Sequence, residues 1–279
     1  MGQSNQTIGL IAGGRQFPVM VAKGIKERGH RLVVAGFTGH TNMEVAPLAD
    51  VWQELKLGKL SKLIDFFKSN GVERVIMAGT INKPKAMDVR HLDMRALKLV
   101  FQNKNKGDSG ILGILAQEFE KEGMPVIPAH KHVPELLAPR GVLTKRSPSD
   151  EEMSDIRFGW NAAKSLGKLD IGQCVVVREG VVAAVEALEG TDAAVRRGCE
   201  LGGSGCSVIK VFKPGQQKRI DLPSFGLETI RTMVDGGATC FAYEAEKSLF
   251  FDRDEAISLA DRHGVAIVGV HADEMDGYS

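Results

Sequence analysis

Thr7-Ile8-Gly9-Leu10-Ile11-Ala12-Gly13-Gly14-Arg15-Gln16-Phe17-Pro18 is the stretch that decides the fold class. A short apolar run breaks into glycines. Phe17, Val21, Ala22 and Ile25 then recur at helical spacing until Gly29. A buried strand that ends in glycine and feeds a helix is the first half of a βαβ unit.

The same alternation continues outward. Leu32–Ala35 reads as a second strand, Leu60–Phe67 as a helix stopped by Asn70-Gly71, and Arg74–Ala78 as a third strand. Helical patterns follow over Met94–Phe101 and Ile111–Glu122, and Val126-Ile127 reads as a further short strand. Uniformly apolar strands separated by helices predict a parallel sheet covered on both faces, a Rossmann-like domain over residues 1–132.

Between Pro125 and Pro148 the texture changes, with five prolines close together, and residues 133–148 are expected to be a linker. His130-Lys131-His132, within this proline-rich stretch, either faces the cleft between the domains or is solvated linker, and solvated linker is the expectation. The second domain, 149–279, starts with a helix over Asp150–Leu166. Cys174–Arg178 and Val181–Val185 flank Glu179-Gly180, which suits a two-residue hairpin turn. Thr191 is placed as the cap of a helix running to Gly202. Ser207–Phe212, Thr239–Tyr243 and Ala266–Val270 read as strands, with helices over Leu227–Val234 and Arg253–His263. The hairpin makes this an α/β domain with a mixed sheet.

Composition narrows the function classes. The 279 residues carry 36 Lys plus Arg against 35 Asp plus Glu, and this balance gives no reason to expect nucleic acid. No apolar run approaches the roughly 20 residues of a membrane span, and the polar N-terminus is no signal peptide. Cys174, Cys199, Cys206 and Cys240 sit among apolar residues without CxxC spacing, as buried reduced thiols would. A cytoplasmic protein is expected, with room for peripheral contact at a membrane surface.

The glycine turn at Gly13-Gly14-Arg15-Gln16 is one candidate site, because free N–H groups and a helix dipole at such a turn face the same point. It either holds the phosphate or sugar of a nucleotide or only needs tight backbone. Its spacing is not G-x-G-x-x-G, and no acidic residue follows the second strand near Phe37, so a nicotinamide cofactor is disfavoured. Thr80, Asn82 and Lys83 follow the third strand at the edge where open α/β sheets bind ligands. They either contact a ribose, base or phosphate or form a solvated loop.

Acidic chemistry concentrates in the second half. Glu186, Glu189, Thr191 and Asp192 lie in a turn into a helix, Lys213 ends a strand, and Asp221 sits before Leu222-Pro223. Together, Glu186, Glu189, Asp192, Lys213 and Asp221 fit a diphosphate handled with a divalent cation. Carboxylate oxygens hold Mg²⁺, and Mg²⁺ with lysine neutralises phosphate charge. The histidines show no paired-ligand spacing, which argues against zinc.

Ile8–Gly14 with Phe17-Pro18, Leu169–Gln173, Val177–Gly180, Ala184–Glu186 with Glu189–Asp192, Lys213–Gln216, and Asp221–Pro223 with Gly226 form an ordered string. This string resembles the LpxI-type UDP-2,3-diacylglucosamine pyrophosphatase family over nearly the whole chain. The resemblance implies hydrolysis of UDP-2,3-diacylglucosamine to UMP and 2,3-diacylglucosamine 1-phosphate in lipid A biosynthesis. It also implies Mg²⁺, a homodimer, and a cytoplasmic location that admits contact with the inner membrane. The family's essential second-domain aspartate falls on Asp221, as ligand of Mg²⁺ or as the group that positions water. The first domain is implied to take the uridine diphosphate end, through Gly13, Gly14, Arg15, Gln16, Thr80, Asn82 and Lys83. The second is implied to take the acylated glucosamine phosphate, with Thr191, Asp192 and Lys213. One departure is Arg15, where members often carry a third small residue; here it is placed to contact phosphate directly. The competing reading is a non-catalytic nucleotide-sugar or lipid-precursor binding protein on the same scaffold.

Overall fold

The computed structural model describes residues 5–81, 92–102 and 108–275. The chain divides into two compact units, one comprising residues up to Pro134 together with Gln217–Asp221, the other Glu135–Gln216 and the residues from Leu222 onward.

In the first unit, β1 (Thr7–Ala12), β2 (Arg31–Phe37), β3 (Val51–Leu55) and β4 (Arg74–Ala78) form an all-parallel sheet in the order β3-β2-β1-β4. Helix α1 (Phe17–Glu27) follows β1 and packs on β1 and β2. Helix α2 (Leu60–Ser69) buries Leu60, Leu63, Ile64, Phe66 and Phe67, the three-and-four spacing of one apolar face. That face meets Val33, Val75 and Phe119 in the core. Helices α3 (Met94–Gln102) and α4 (Asp108–Lys121) complete the unit.

The fold differs from the sequence expectation at three places here. β3 was not expected: Gln53 and Glu54 are exposed on this edge strand, and they interrupt its apolar pattern. Val126 makes only an isolated bridge to Val75 and no strand. His130-Lys131-His132 is no solvated linker. Ala129–Lys131 is a 3₁₀ turn, His132 is 7% exposed, and its ring lies 6.0 Å from that of His30.

The second unit holds a six-stranded mixed sheet. Its strands are β5 (Gly141–Val142), β6 (Cys174–Arg178), β7 (Val181–Val185), β8 (Ser207–Lys210), β10 (Cys240–Glu244) and β12 (Ala266–Val270), in the order β5-β12-β10-β8-β6-β7. Two short strands, β9 (Ser224–Phe225) and β11 (Leu249–Phe250), pair separately. β8, β10 and β12 are parallel, whereas β6 runs antiparallel to both β8 and β7. β7 therefore ends at the same edge as β8, β10 and β12.

Helix α5 (Asp150–Lys168) covers one face with Ile156, Trp160 and Ala163. It starts in a Ser149/Glu152 capping box, which satisfies N–H groups that would otherwise lack partners. The other face carries α6 (Thr191–Gly202), α7 (Leu227–Asp235) and α8 (Arg253–Arg262) over a core that includes Cys199, Met233 and Phe241. A short α9 (Ala272–Met275) follows β12. The β6–β7 hairpin turns on Glu179 and Gly180, both at positive φ, with Asp155 accepting both amides at 3.1 and 2.7 Å. All four cysteines are buried.

The proline-rich stretch is not an independent linker. The division between the units falls between Pro134 and Glu135. Gly141–Val142 pairs with β12 as β5, and Arg146 bonds Glu152 and the carbonyl of Gly264. A two-residue edge strand is too short to show a period in the sequence.

Candidate active site

The glycine turn of the first unit is held by its own backbone. Gly13 N–H donates to the Ala78 carbonyl at 2.8 Å and Gly14 N–H to that of Thr80 at 2.8 Å, which joins the exits of β1 and β4. Any Cβ on Gly13 would stand 2.7 Å from the Thr80 carbonyl oxygen. The Thr41 hydroxyl donates to the Ala12 carbonyl at 2.5 Å and accepts from Phe37 N–H at 2.7 Å. The expectation of free glycine amides is thereby corrected: these two are already hydrogen-bonded within the protein. Around them Arg15 (φ 65°), Gln16 and Thr80 are exposed, and Gln16 donates to Glu44 at 3.0 Å. Asn82 and Lys83 lie outside the described residues.

In the second unit, polar side chains gather where β7, β8 and β10 end, the edge at which open α/β sheets take ligands. Glu186, 9% exposed, accepts from the Thr191 hydroxyl at 2.8 Å and from Gln173 N–H at 3.3 Å. Lys210, 4% exposed, donates to Thr191 Oγ1 at 2.7 Å and to the Ser224 carbonyl at 2.6 Å. Burial, and then the charge of Glu186, pushes the Cys174 thiol far up, so it stays protonated. Glu244, 1% exposed, accepts from Lys164 at 2.5 Å, Lys247 at 3.0 Å and Phe212 N–H at 2.9 Å. Polar groups at this depth need hydrogen-bond partners, and each of these has them, with Glu244 also paired to Lys164 and Lys247.

The expected site residues separate under this geometry. Thr191 does not cap α6. Gly190 occupies the cap position, and the Thr191 side chain joins Glu186 to Lys210 instead. Asp192 accepts from Thr229 at 2.9 Å, Lys213 meets Asp170 at 2.5 Å, and Glu189 pairs with Arg197 at 2.9 Å. The Glu189 carboxyl is lowered by backbone N–H groups, its own first, and by Arg197. Lys213 lies beyond its strand, and the strand-ending lysine is Lys210. Asp221 is exposed, on a turn where its N–H donates to the Gln217 carbonyl at 3.1 Å. Its segment belongs to the first unit, with Ile220 against that core and Arg219 paired to Glu120, and not to the second as expected. Among the described residues, no group of three or more His, Cys, Asp or Glu stands ready to hold a metal. None of the described helices is long and apolar enough to cross a membrane.

Lys210, Glu244, Lys164 and Asp170 were not anticipated. Lys210 interrupts the apolar run Ser207–Phe212 and Glu244 closes that of β10, and a charge set into such a run is itself a readable signal of a functional edge.

Comparison with known proteins matches residues 7–136 to the LpxI N-terminal domain and residues 139–268 to the LpxI C-terminal domain. A UDP-2,3-diacylglucosamine pyrophosphatase LpxI from Caulobacter vibrioides is 35% identical over 280 aligned positions, covering 96% of this chain and 98% of that protein. Among solved structures, Kluyveromyces lactis urea carboxylase aligns with TM-score 0.29 at 12% identity, over 61% of this chain and 12% of that one. The biotin carboxylase domain of a thermophilic 2-oxoglutarate carboxylase, bound to ADP, aligns with TM-score 0.27 at 14% identity, over 71% and 34%. Scores this low do not establish a shared fold.

Proposed function

Since this chain belongs to the LpxI family, we propose that it hydrolyses the pyrophosphate bond of UDP-2,3-diacylglucosamine to UMP and 2,3-diacylglucosamine 1-phosphate. The observation that carries the reading is end-to-end likeness in both domains to a pyrophosphatase of that name.

In this reading water attacks the phosphorus on the sugar side. Its oxygen stays with the sugar phosphate, the bridging oxygen leaves with UMP, and the water's proton is lost to base or solvent. Asp221 is the catalytic residue, either orienting that water or holding Mg²⁺. Its exposed carboxylate is an oxygen donor of the kind Mg²⁺ takes, with phosphate oxygens of the substrate as further ligands. Such an ion would supply neutralisation of the diphosphate charge. Arg15, Gln16 and Thr80, with Gly13 and Gly14 as the turn beneath them, take the uridine diphosphate end. Thr191, Asp192 and Lys213 take the acylated glucosamine phosphate. The same reading extends to a homodimer in the cytoplasm, drawing its lipid substrate from the inner-membrane surface.

The test is incubation with UDP-2,3-diacylglucosamine in ¹⁸O-water, with Mg²⁺ or EDTA. UMP release with Mg²⁺ only, label in the sugar phosphate, and an Asp221→Ala variant that binds without cleaving are expected. No UMP under Mg²⁺ would overturn the activity, and unchanged turnover in Asp221→Ala would overturn the role of that residue.

A further inference from the structure

The segment that carries Asp221 leaves β8 after Lys210 and returns to the second unit at Leu222. Both of its roots are gripped by charged side chains, of which Glu244 and Lys210 are buried and Lys164 is partly so. At the outgoing root, Phe212 has both backbone polar groups engaged by one ion pair: its N–H donates to Glu244 at 2.9 Å, and its carbonyl accepts from Lys164 Nζ at 2.8 Å. Lys164 and Glu244 are themselves 2.5 Å apart. At the returning root, the Ser224 carbonyl accepts from Lys210 at 2.6 Å. Between the roots, Gln216 accepts from Lys213 N–H at 3.2 Å, and Lys213 pairs with Asp170. Residues Gln217–Asp221 then belong to the first unit.

Ending a strand requires no ion pair, and an almost fully buried carboxylate is costly to keep charged. What this pair does that an apolar plug could not is hold one residue by both its N–H and its C=O. That sets the direction in which the following chain departs. A reacting group on such an arm is only as well placed as its anchor, since roughly 1 Å of misplacement costs on the order of 10²-fold in rate. We infer that Lys164 and Glu244 are positioning residues for the reaction, acting through Phe212 on the arm that bears Asp221. This rests on the pyrophosphatase reading above.

The experiment compares Lys164→Met with Lys164→Arg, measuring kcat and KM for UMP release, the exchange rate of the Phe212 amide hydrogen, and Tm. Lys164→Met is expected to lower kcat by on the order of 10²-fold with KM changed less than about twofold. Lys164→Arg is expected to recover most of the rate, and the Phe212 amide to exchange faster in the Met variant alone. In an Asp221→Ala background, Lys164→Met should leave substrate affinity within about twofold. Wild-type kcat in Lys164→Met, unaltered Phe212 exchange, or a tenfold loss of affinity in the Asp221→Ala background would each overturn the inference. If Lys164→Met does not fold, Lys164→Gln, which is uncharged and too short to hold the Phe212 carbonyl, decides by the same readings. A wild-type protein that releases no UMP would instead defeat the functional reading, while Phe212 exchange still judges the anchor.

Discussion

Replacing Gly79 by alanine tests whether the glycine turn of the first unit is architecture before it is a binding site. Gly79 has φ +89°, and a Cβ there would lie 2.6 Å from the Gly14 carbonyl oxygen, 2.6 Å from Pro18 Cγ and 2.9 Å from the Gly13 carbonyl carbon. Two of those neighbours are backbone, locked by the Gly13–Ala78 and Gly14–Thr80 hydrogen bonds, so they cannot step aside cheaply. Positive φ in a residue with a Cβ costs roughly 1–2 kcal/mol, offset by roughly 0.4–1 kcal/mol from the stiffer unfolded chain. Forcing an atom into close-packed surroundings adds roughly 1–3 kcal/mol. Gly29→Ala is the control. It has φ +76° with nothing within 4 Å of the added carbon, so it carries the conformational cost alone.

Gly79→Ala is therefore expected to be less stable than Gly29→Ala by roughly 1–3 kcal/mol, or about 3–10 °C in the Tm of the first unit. The assay is calorimetric unfolding of the full chain carrying each substitution. The reasoning is refuted if the two variants melt within about 1 °C of each other, a gap too small for any such clash. A Gly79→Ala protein that keeps its Tm and loses only activity would likewise show that the turn serves ligand rather than backbone.

Burial, helped by Arg28, His30 and Lys131, pushes His132 down to about 4 from an ordinary 6.5, so it is neutral in the fold. Its contribution should be fully present above pH 6.5 and lost as pH falls toward 4, by on the order of 2 kcal/mol. Urea midpoints across that range should fall more steeply for wild type than for His132→Leu, and parallel curves would count against the buried-histidine account. Phe225, 3% exposed, has its ring 4.7 Å from Phe241, 4.8 Å from Tyr243 and 4.5 Å from Phe250. Phe225→Ala should lower unfolding free energy by roughly 3–5 kcal/mol, and a loss below about 1 kcal/mol would mean that the cluster collapses into the gap.

Elements with strong local signals were legible in the sequence. The apolar runs at Ile8–Ala12 and Arg74–Ala78 and the amphipathic Leu60–Ser69 lie where periodicity places them. The Glu179-Gly180 hairpin needed only turn chemistry. β3, β5, β9 and β11 were not legible, because a short edge strand or a two-residue strand has too few residues to show a period. In the candidate site, the order of motifs pointed to the family and to Asp221. The partners of each charge were another matter: Thr191 looked like a cap until the fold set it between Glu186 and Lys210.

The sequence by itself determined the α/β class, the two-part organisation, the mixed sheet and the family, all of which follow from local patterns and their order along the chain. Only the tertiary structure decided that the glycine amides of the turn bind the carbonyls of Ala78 and Thr80, that residues 135–148 join the second unit, and that Gln217–Asp221 join the first. It also decided that Lys164, 80 residues before Glu244 in the chain, shares a carboxylate with Phe212. The physical reason is that hydrogen bonds and ion pairs act over about 3 Å of space. Periodicity and turn chemistry report only on neighbours along the chain.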